Sequence, residues 1–292
     1  MSAVPARAGR SIWRGLGPVS ELRDSRELLV NLTLRETRGK YKRTLLGHGW
    51  SLLNPLALIL LYSIVFGQLL VIDAPVGHPS GVESFGLFLT TALLPWMFFA
   101  NALQSGLGSL VSNANLVQRV YFPRQVLVAA AVLSWDVTFA IELAVLAVVL
   151  TIAGAMVLPW LPLVLLAMTL LTLFAFGLAL LLSVANVYFR DTQHFIPIVL
   201  QIWFFLTPIV YPISYVRDAA DRLAAEGWDI PVDFLYRLNP MERFSNVFRD
   251  LMYDNTWPSL TDSLYCVGVT AAALVLGYLV FKRFEGRLAE EL

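Results

Sequence analysis

Six stretches of the chain are apolar for long enough to cross a bilayer: residues 50–72, 84–111, 125–154, 161–187, 195–213 and 263–281. A spanning helix needs about 20 predominantly apolar residues, because 1.5 Å of rise per residue must cover a hydrocarbon core about 30 Å thick. The third and fourth stretches are separated only by the link around Pro159. Pro159 and Pro162 break what would otherwise be one helix too long for any bilayer. The fifth is short and interrupted by Pro197, Pro208 and Pro212. Ahead of the first, residues 24–46 read as an amphipathic helix. Asp24 and Glu27 have capping-box spacing, Leu28, Leu29 and Leu32 share a face, and Arg35, Arg38, Lys40, Lys42 and Arg43 follow as a basic cluster. Between the fifth and sixth stretches, Phe244, Val247, Phe248, Leu251 and Met252 recur at helical spacing, which predicts short helices at the membrane face. The expected fold is all-α and polytopic. It has a cytosolic segment 1–49 with an interfacial helix, a six-span domain 50–281 with an external loop 214–262, and a cytosolic tail 282–292.

The distribution of charge orients this arrangement. All 21 Lys and Arg residues fall outside the six spans. Ten precede the first span, from Arg7 to Arg43; Arg119 and Arg124 lie between spans two and three, Arg190 between four and five, and Lys282, Arg283 and Arg287 after six. The short loops after spans one and three contain none. Basic residues resist translocation, so the alternation predicts both termini in the cytosol. The long loop 214–262, with five basic and nine acidic residues, weighs little in this rule. With 58% hydrophobic and 14% charged residues, the composition fits the bilayer as solvent. A net charge of zero points to no nucleic-acid partner. The single Cys266 excludes an internal disulfide framework. The amino-terminal segment lacks a compact apolar run before a small-residue cleavage site, so the first span is expected to act as the insertion signal.

No Gly-rich phosphate loop, nucleophile elbow or metal-ligand spacing is present, and His48, His78 and His194 lie on different segments. The expectation is a chain with no catalytic residues, no metal and no cofactor. Inside the membrane, Asp136 and Glu142 stand out in span three, because a buried carboxylate must be paired or hydrated. Six residues apart, they project about 120° from each other and do not readily share a proton. A proton relay and contact with a watery cavity, a helix end or a second subunit both remain open. Trp96, Trp135 and Trp203 lie near mid-span, where interfacial anchoring does not explain them. Aromatic faces suit the apolar C–H surfaces of sugar rings. Span one offers Tyr62, Phe66 and Gln68, and span five offers Trp203, Phe204 and Tyr211. Together with Trp96 these are the candidate conduit residues, set against a bland reading as packing or lipid contacts. A path between two subunits is easier to form than one inside a single six-helix chain.

The run Arg35-Glu-Thr-Arg38-Gly-Lys-Tyr41-Lys-Arg-Thr44-Leu-Leu-Gly47-His-Gly-Trp50-Ser-Leu-Leu-Asn54-Pro55 resembles the entry segment of bacterial type-two ABC exporter permeases for polysaccharides, such as O-antigen, teichoic acid or lipid-linked galactan. Further matches follow in order: Val120-Tyr121-Phe122-Pro123-Arg124, Asn186-Val187-Tyr188-Phe189-Arg190-Asp191, Pro208-Ile-Val-Tyr211-Pro212 and Asn239-Pro240-Met241. The resemblance covers residues 25–285. It implies a homodimer of permeases in the bacterial cytoplasmic membrane and two cytosolic ATPase subunits that bind the ATP and Mg. It also implies a polyprenyl-linked polysaccharide as substrate. Carried over, Arg38 and Tyr41 belong to the interfacial region. Arg119, Tyr121, Phe122, Pro123 and Arg124 form the coupling loop. Tyr236, Asn239, Pro240, Met241 and Phe244 belong to the external gate. A drug-efflux permease of the same architecture and a membrane-embedded glycosyltransferase are the competing readings. The transferase would need paired acids at a membrane face, which the cytosolic loops lack.

Overall fold

An apolar segment with no water around it must satisfy its N–H and C=O groups internally, and a helix does so residue by residue. The computed structural model describes residues 25–40, 42, 44–70, 74–120, 122–211, 213–225 and 232–292, and among these there is no strand. In chain order the helices are α1 (Arg26–Lys40), α2 (Trp50–Tyr62, running on as a π-helix over Ser63–Leu69), α3 (Phe85–Ser112), the short α4 (Ala114–Arg119), α5 (Gln125–Ile152) and α6 (Leu161–Tyr188). They continue with α7 (Thr192–Phe205), α8 (Ile213–Ala225), α9 (Val232–Arg237), α10 (Pro240–Phe248, followed by a π-helix over Arg249–Asp254), α11 (Leu260–Phe284) and α12 (Leu288–Glu291). α2 with its π-helical continuation, α3, α5, α6 with the turn before it, and α11 are long and apolar enough to span a membrane.

The expected fifth span is a half-length helix. α7 has 14 residues, about 21 Å at 1.5 Å each, short of the hydrocarbon thickness. Pro208 biases Thr207 away from helical geometry, and the chain leaves the helix just before it. The amphipathic helix ahead of the first span is also shorter than the pattern suggests. α1 stops at Lys40, and the chain reaches α2 through Gly47, whose φ of +53° favours glycine. Its proposed cap, Asp24, lies outside the described residues. α1 packs along α5, with Leu32 and Thr37 buried.

α3 is the centre of the bundle, held between α5 and α6. α6 packs in turn on α11, and α10 closes the far end against α3 and α11. These crossings are tight because glycines sit at them. A Cβ on Gly106 would come 2.6 Å from the Ala179 Cβ, and one on Gly277 would collide with the Gly177 carbonyl. Small residues that let backbones approach are the usual means of helix association where lipid removes the hydrophobic drive. α2 and α7 stand at the margin: α2 leans on α3 and α5, and α7 on α3 and α6.

Candidate functional site

The candidate conduit residues fall into two groups. At the carboxyl-terminal end of α2, Tyr62 and Phe66 lie with ring centroids 6.0 Å apart, and Phe66 stacks on Phe85 at 4.6 Å. The aromatic chain continues through Phe88 to Tyr253, whose hydroxyl donates to the Pro75 carbonyl at 2.6 Å. Gln68 is exposed beside them. The second group is centred on α7. Trp203 meets Trp96 edge-on at 6.1 Å and Phe99 at 5.4 Å, while Phe204 tilts against Trp96 at 5.7 Å. Trp96 is buried in the bundle, whereas Ile202 and Phe205 on the same helix are exposed. Tyr211 folds back to donate to the Phe205 carbonyl at 2.6 Å.

Asn239 joins this group to α9 and α10. It caps α10, with Pro240 in the first turn, where a missing N–H costs nothing. Its Oδ1 accepts from Met241 N at 3.0 Å and from Trp203 Nε1 at 2.7 Å. Its Nδ2 donates to the Leu206 carbonyl at 3.1 Å and to Thr207 Oγ1 at 2.9 Å. The whole amide is engaged, tying the end of α7 to the start of α10. Tyr236 places its hydroxyl 3.1 Å from that of Tyr211. Met241 and Phe244 are buried, and Phe244 stacks on Phe174 at 5.7 Å.

Sequence reasoning missed the charges beneath this latch. Arg243 pairs with Asp262 and lies 3.5 Å from Glu242, which accepts from Asn246 at 2.7 Å. Arg249 donates to the Ile209 carbonyl at 3.1 Å with its guanidinium 4.0 Å from the Phe88 ring centre. Burial raises the Glu242 carboxyl above its ordinary range and pushes Arg249 down to about 10, opposed by Asp254, Glu242 and Asp250. The pattern around 241–252 predicted helices but not that their polar members face inward.

The intramembrane acids each have a partner on another helix. Thr172 donates to Asp136 at 2.6 Å, and Asn54 donates to Glu142 at 3.0 Å. The two face α6 and α2 respectively, in line with the 120° separation. No Lys or Arg lies within a span to meet Glu142, but α1 brings in Lys40, whose ammonium sits 3.5 Å from the Trp135 ring centre. Burial pushes Lys40 down to about 7, against the pull of Glu36 and Glu142.

The segment from Asn113 to Arg124, with α4 inside it, is bracketed at both ends. Arg35 of α1 donates to Asn113 at 2.7 Å. The Arg124 backbone N–H donates to the Glu285 carboxylate at 3.2 Å, and its guanidinium bonds the Glu285 carbonyl. Lys282 holds Glu285 at 2.8 Å, and α12 packs on α4. Phe122 and Pro123 are half-buried, while Arg119 and Arg38 are exposed. Tyr41 and Tyr121 lie outside the described residues.

Helices of spanning length, a shorter α7 and the α9–α10 segment latched to it define a multi-pass helical membrane protein. Residues 27–224 match the family model described as ABC-2 type transporter, and the chain belongs to that family. It is 30% identical over 274 residues to the O-antigen export system permease protein RfbA of Myxococcus xanthus, covering 93% of this chain and 96% of that protein. A protein of the same description from Klebsiella pneumoniae is 27% identical over 90% of this chain and 94% of its own length. The polysialic acid transport protein KpsM of Escherichia coli is 26% identical over 63% of this chain and 70% of its own. Family and helices together make this a multi-pass inner-membrane protein.

Proposed function

We propose that the chain is the membrane subunit of an ABC exporter that moves a lipid-linked polysaccharide out across the cytoplasmic membrane. The observation that carries this reading is the near full-length match to two O-antigen export permeases. The sequence has no nucleotide-binding motif, so ATP and Mg belong to separate ATPase subunits, two per pair of permeases. Both termini lie in the cytosol, and α8 to α10 lie outside.

The margins of the bundle support a path between two copies. α2 and α7 bury little, and each carries one of the two aromatic groups. Facing each other across a two-fold axis, Tyr62 and Phe66 of one copy and Trp203 and Phe204 of the other form stacking walls for sugar rings, with Asn239 and Tyr236 at the exit. On the cytosolic side the bracketed loop 113–124 receives the ATPase. Force must pass through a packed contact, and Phe122-Pro123 provides a stiff apolar one.

The test is ATP-dependent uptake of labelled lipid-linked polysaccharide into inverted vesicles containing the permease and its co-purified ATPase. Uptake that persists without the ATPase, or an ATPase that never co-purifies, would sink the reading. Orientation is checked separately. Cys266 is buried, which keeps background labelling low. A Gly227→Cys variant should react with an impermeant thiol reagent on intact cells, and Gly39→Cys should not.

A further inference from the structure

At the foot of α2 the bundle holds a cleft, lined by polar and apolar side chains together, that the conduit does not use. One chamber of about 300 Å³ is lined by Trp50, Ser51, Asn54, Asn101, Trp135 and Glu142, among others. A second, of about 430 Å³, is lined by Glu36, Lys40, Asn101, Gln104, Ser105 and Ser134 with Trp135. Asn101 and Trp135 belong to both walls, so the two chambers adjoin. Each falls within the volume range of small-molecule sites, roughly 300–1,000 Å³.

The cleft's depth is fixed by the Asn54–Glu142 hydrogen bond. Asn54 is barely one turn into α2, yet Glu142 is about 25 Å along α5 at 1.5 Å per residue. The first span therefore starts level with Glu142, and the nearer half of α5, with α1 packed along it, projects below that level. In the orientation proposed above, the cleft lies on the cytosolic side of the bundle, at the depth where the first span begins. Trp50, 47% exposed at the start of α2, is placed as an interfacial tryptophan would be.

The lining is unusual for a membrane protein at this depth. Two indoles stand among amides from Asn54, Asn101 and Gln104, hydroxyls from Ser51, Ser105, Ser134 and Thr138, and the carboxylates of Glu36 and Glu142. Lys40 Nζ has no hydrogen-bond partner among the described residues. Carboxylates and amides that accept and donate beside aromatic faces are the complement of a sugar, whose hydroxyls do both and whose C–H faces are apolar. A phosphate fits poorly, because the lining sets two carboxylates against one ammonium.

We propose that this cleft binds an uncharged sugar unit, the head of a lipid-borne glycan held at the cytosolic surface. The sugar chemistry is read from the lining, and its source in an exported glycan rests on the function proposed above. Glu142 and Asn101 bond the hydroxyls, Trp50 and Trp135 flank the ring, and Lys40 closes the cleft from α1.

The experiment uses the full-length protein in phosphatidylcholine nanodiscs doped with monogalactosyl diacylglycerol, with lipid retention read by native mass spectrometry. The galactolipid should be retained about tenfold over diacylglycerol and phosphatidylglycerol, the discrimination expected when polar groups are otherwise left unpaired. Glu142→Gln, which keeps an oxygen for Asn54, and Asn101→Ala should each lose most of that preference at unchanged melting temperature. Trp257→Ala, on the far side of the bundle, should lose none. Displacement by free galactose would show that the site reads the sugar alone, and no displacement that it reads the sugar on its lipid; both support the assignment. Equal retention of all lipids, a preference for phosphatidylglycerol, or indifference to Glu142→Gln and Asn101→Ala together would overturn it. If polysaccharide export proceeds while the galactolipid is ignored, the site assignment alone fails. If the lipid is retained but no polysaccharide moves with ATP, the export reading alone fails.

Discussion

α2 and α3 are both apolar enough to span a membrane, and the more apolar of the two is the less buried. In the apolar stretch of α3, 83% of the residues are buried; in that of α2 the share is 6%. In water this would be perverse, but lipid tails are as apolar as leucine, and greasiness gives no reason to turn inward. What turns inward is what packs closely or hydrogen-bonds. α3 buries Gly86, Gly106, Thr90, Thr91, Ala92, Ala102 and Ser109, and both threonines bond carbonyls one turn back. α2 shows its leucines 52, 53, 56, 60 and 61 to the outside. The buried centre and the exposed margin are thus told apart by small and polar residues.

The sharpest way to break this contrast is at the α6–α11 crossing. Gly277→Leu should cost about 3–5 kcal/mol, enough to abolish folded protein in detergent, because its Cβ meets backbone that cannot move aside. Gly108→Ala, with open space around it, should leave the melting temperature unchanged or raise it. Size-exclusion profiles and thermal melts of the pair decide this, and a folded, unchanged Gly277→Leu would remove the scaffold argument.

Next in size is the latch. Asn239→Ala leaves Trp203 Nε1 and the α10 cap without their acceptor, at a cost of about 2–3 kcal/mol. Export should fall more than protein yield does, and Asn239→Asp, which keeps the acceptor, should be milder. Transport assays at matched protein amounts would expose a merely structural role as an equal fall in both.

A smaller effect depends on pH. Burial and the neighbouring Asp254 raise the Asp250 carboxyl to about 6. Since the folded value exceeds the unfolded one, the fold prefers the protonated form. That stabilisation is complete below about pH 4 and is lost as pH rises through 6. Asp250→Asn should therefore stabilise the protein near pH 7.5, on the order of 1 kcal/mol after solvent screening, and do nothing near pH 4. Thermal melts at both pH values test it, and an equal gain at both would point to packing instead.

The smallest effect is expected on α2. Leu60→Ala should change the stability of the isolated chain by less than about 0.5 kcal/mol, read from thermal melts, since lipid takes the place of the lost contacts. Any marked effect should appear in self-association, read by crosslinking.

What was legible in the sequence follows the same division. Length and hydropathy placed α3, α5, α6 and α11 to within a few residues, because crossing a bilayer is a constraint on each segment by itself. Pro208 signalled the break in the fifth stretch, although not that the helix would fall short of a full span. The Asn239-Pro240-Met241 motif was visible, and its partner Trp203 was singled out separately. Their bond joins residues 36 apart, and no local pattern encodes that. Lys40 facing Glu142 and Arg243 pairing with Asp262 were hidden for the same reason. The π-helix over Ser63–Leu69 had no signal we can name.

The bracket at Arg124 also bears on the timing of assembly. The loop between the second and third apolar helices is gripped by Glu285, which follows the sixth apolar stretch, and α12 beyond it lies against α4. During synthesis the loop emerges more than 150 residues before its clasp. Earlier spans can insert and pair, but this face of the bundle is not finished until α11 has crossed and its tail has folded back. A truncated or stalled chain would lack this clasp, and in the function proposed above its ATPase would be recruited only to permeases whose insertion is complete.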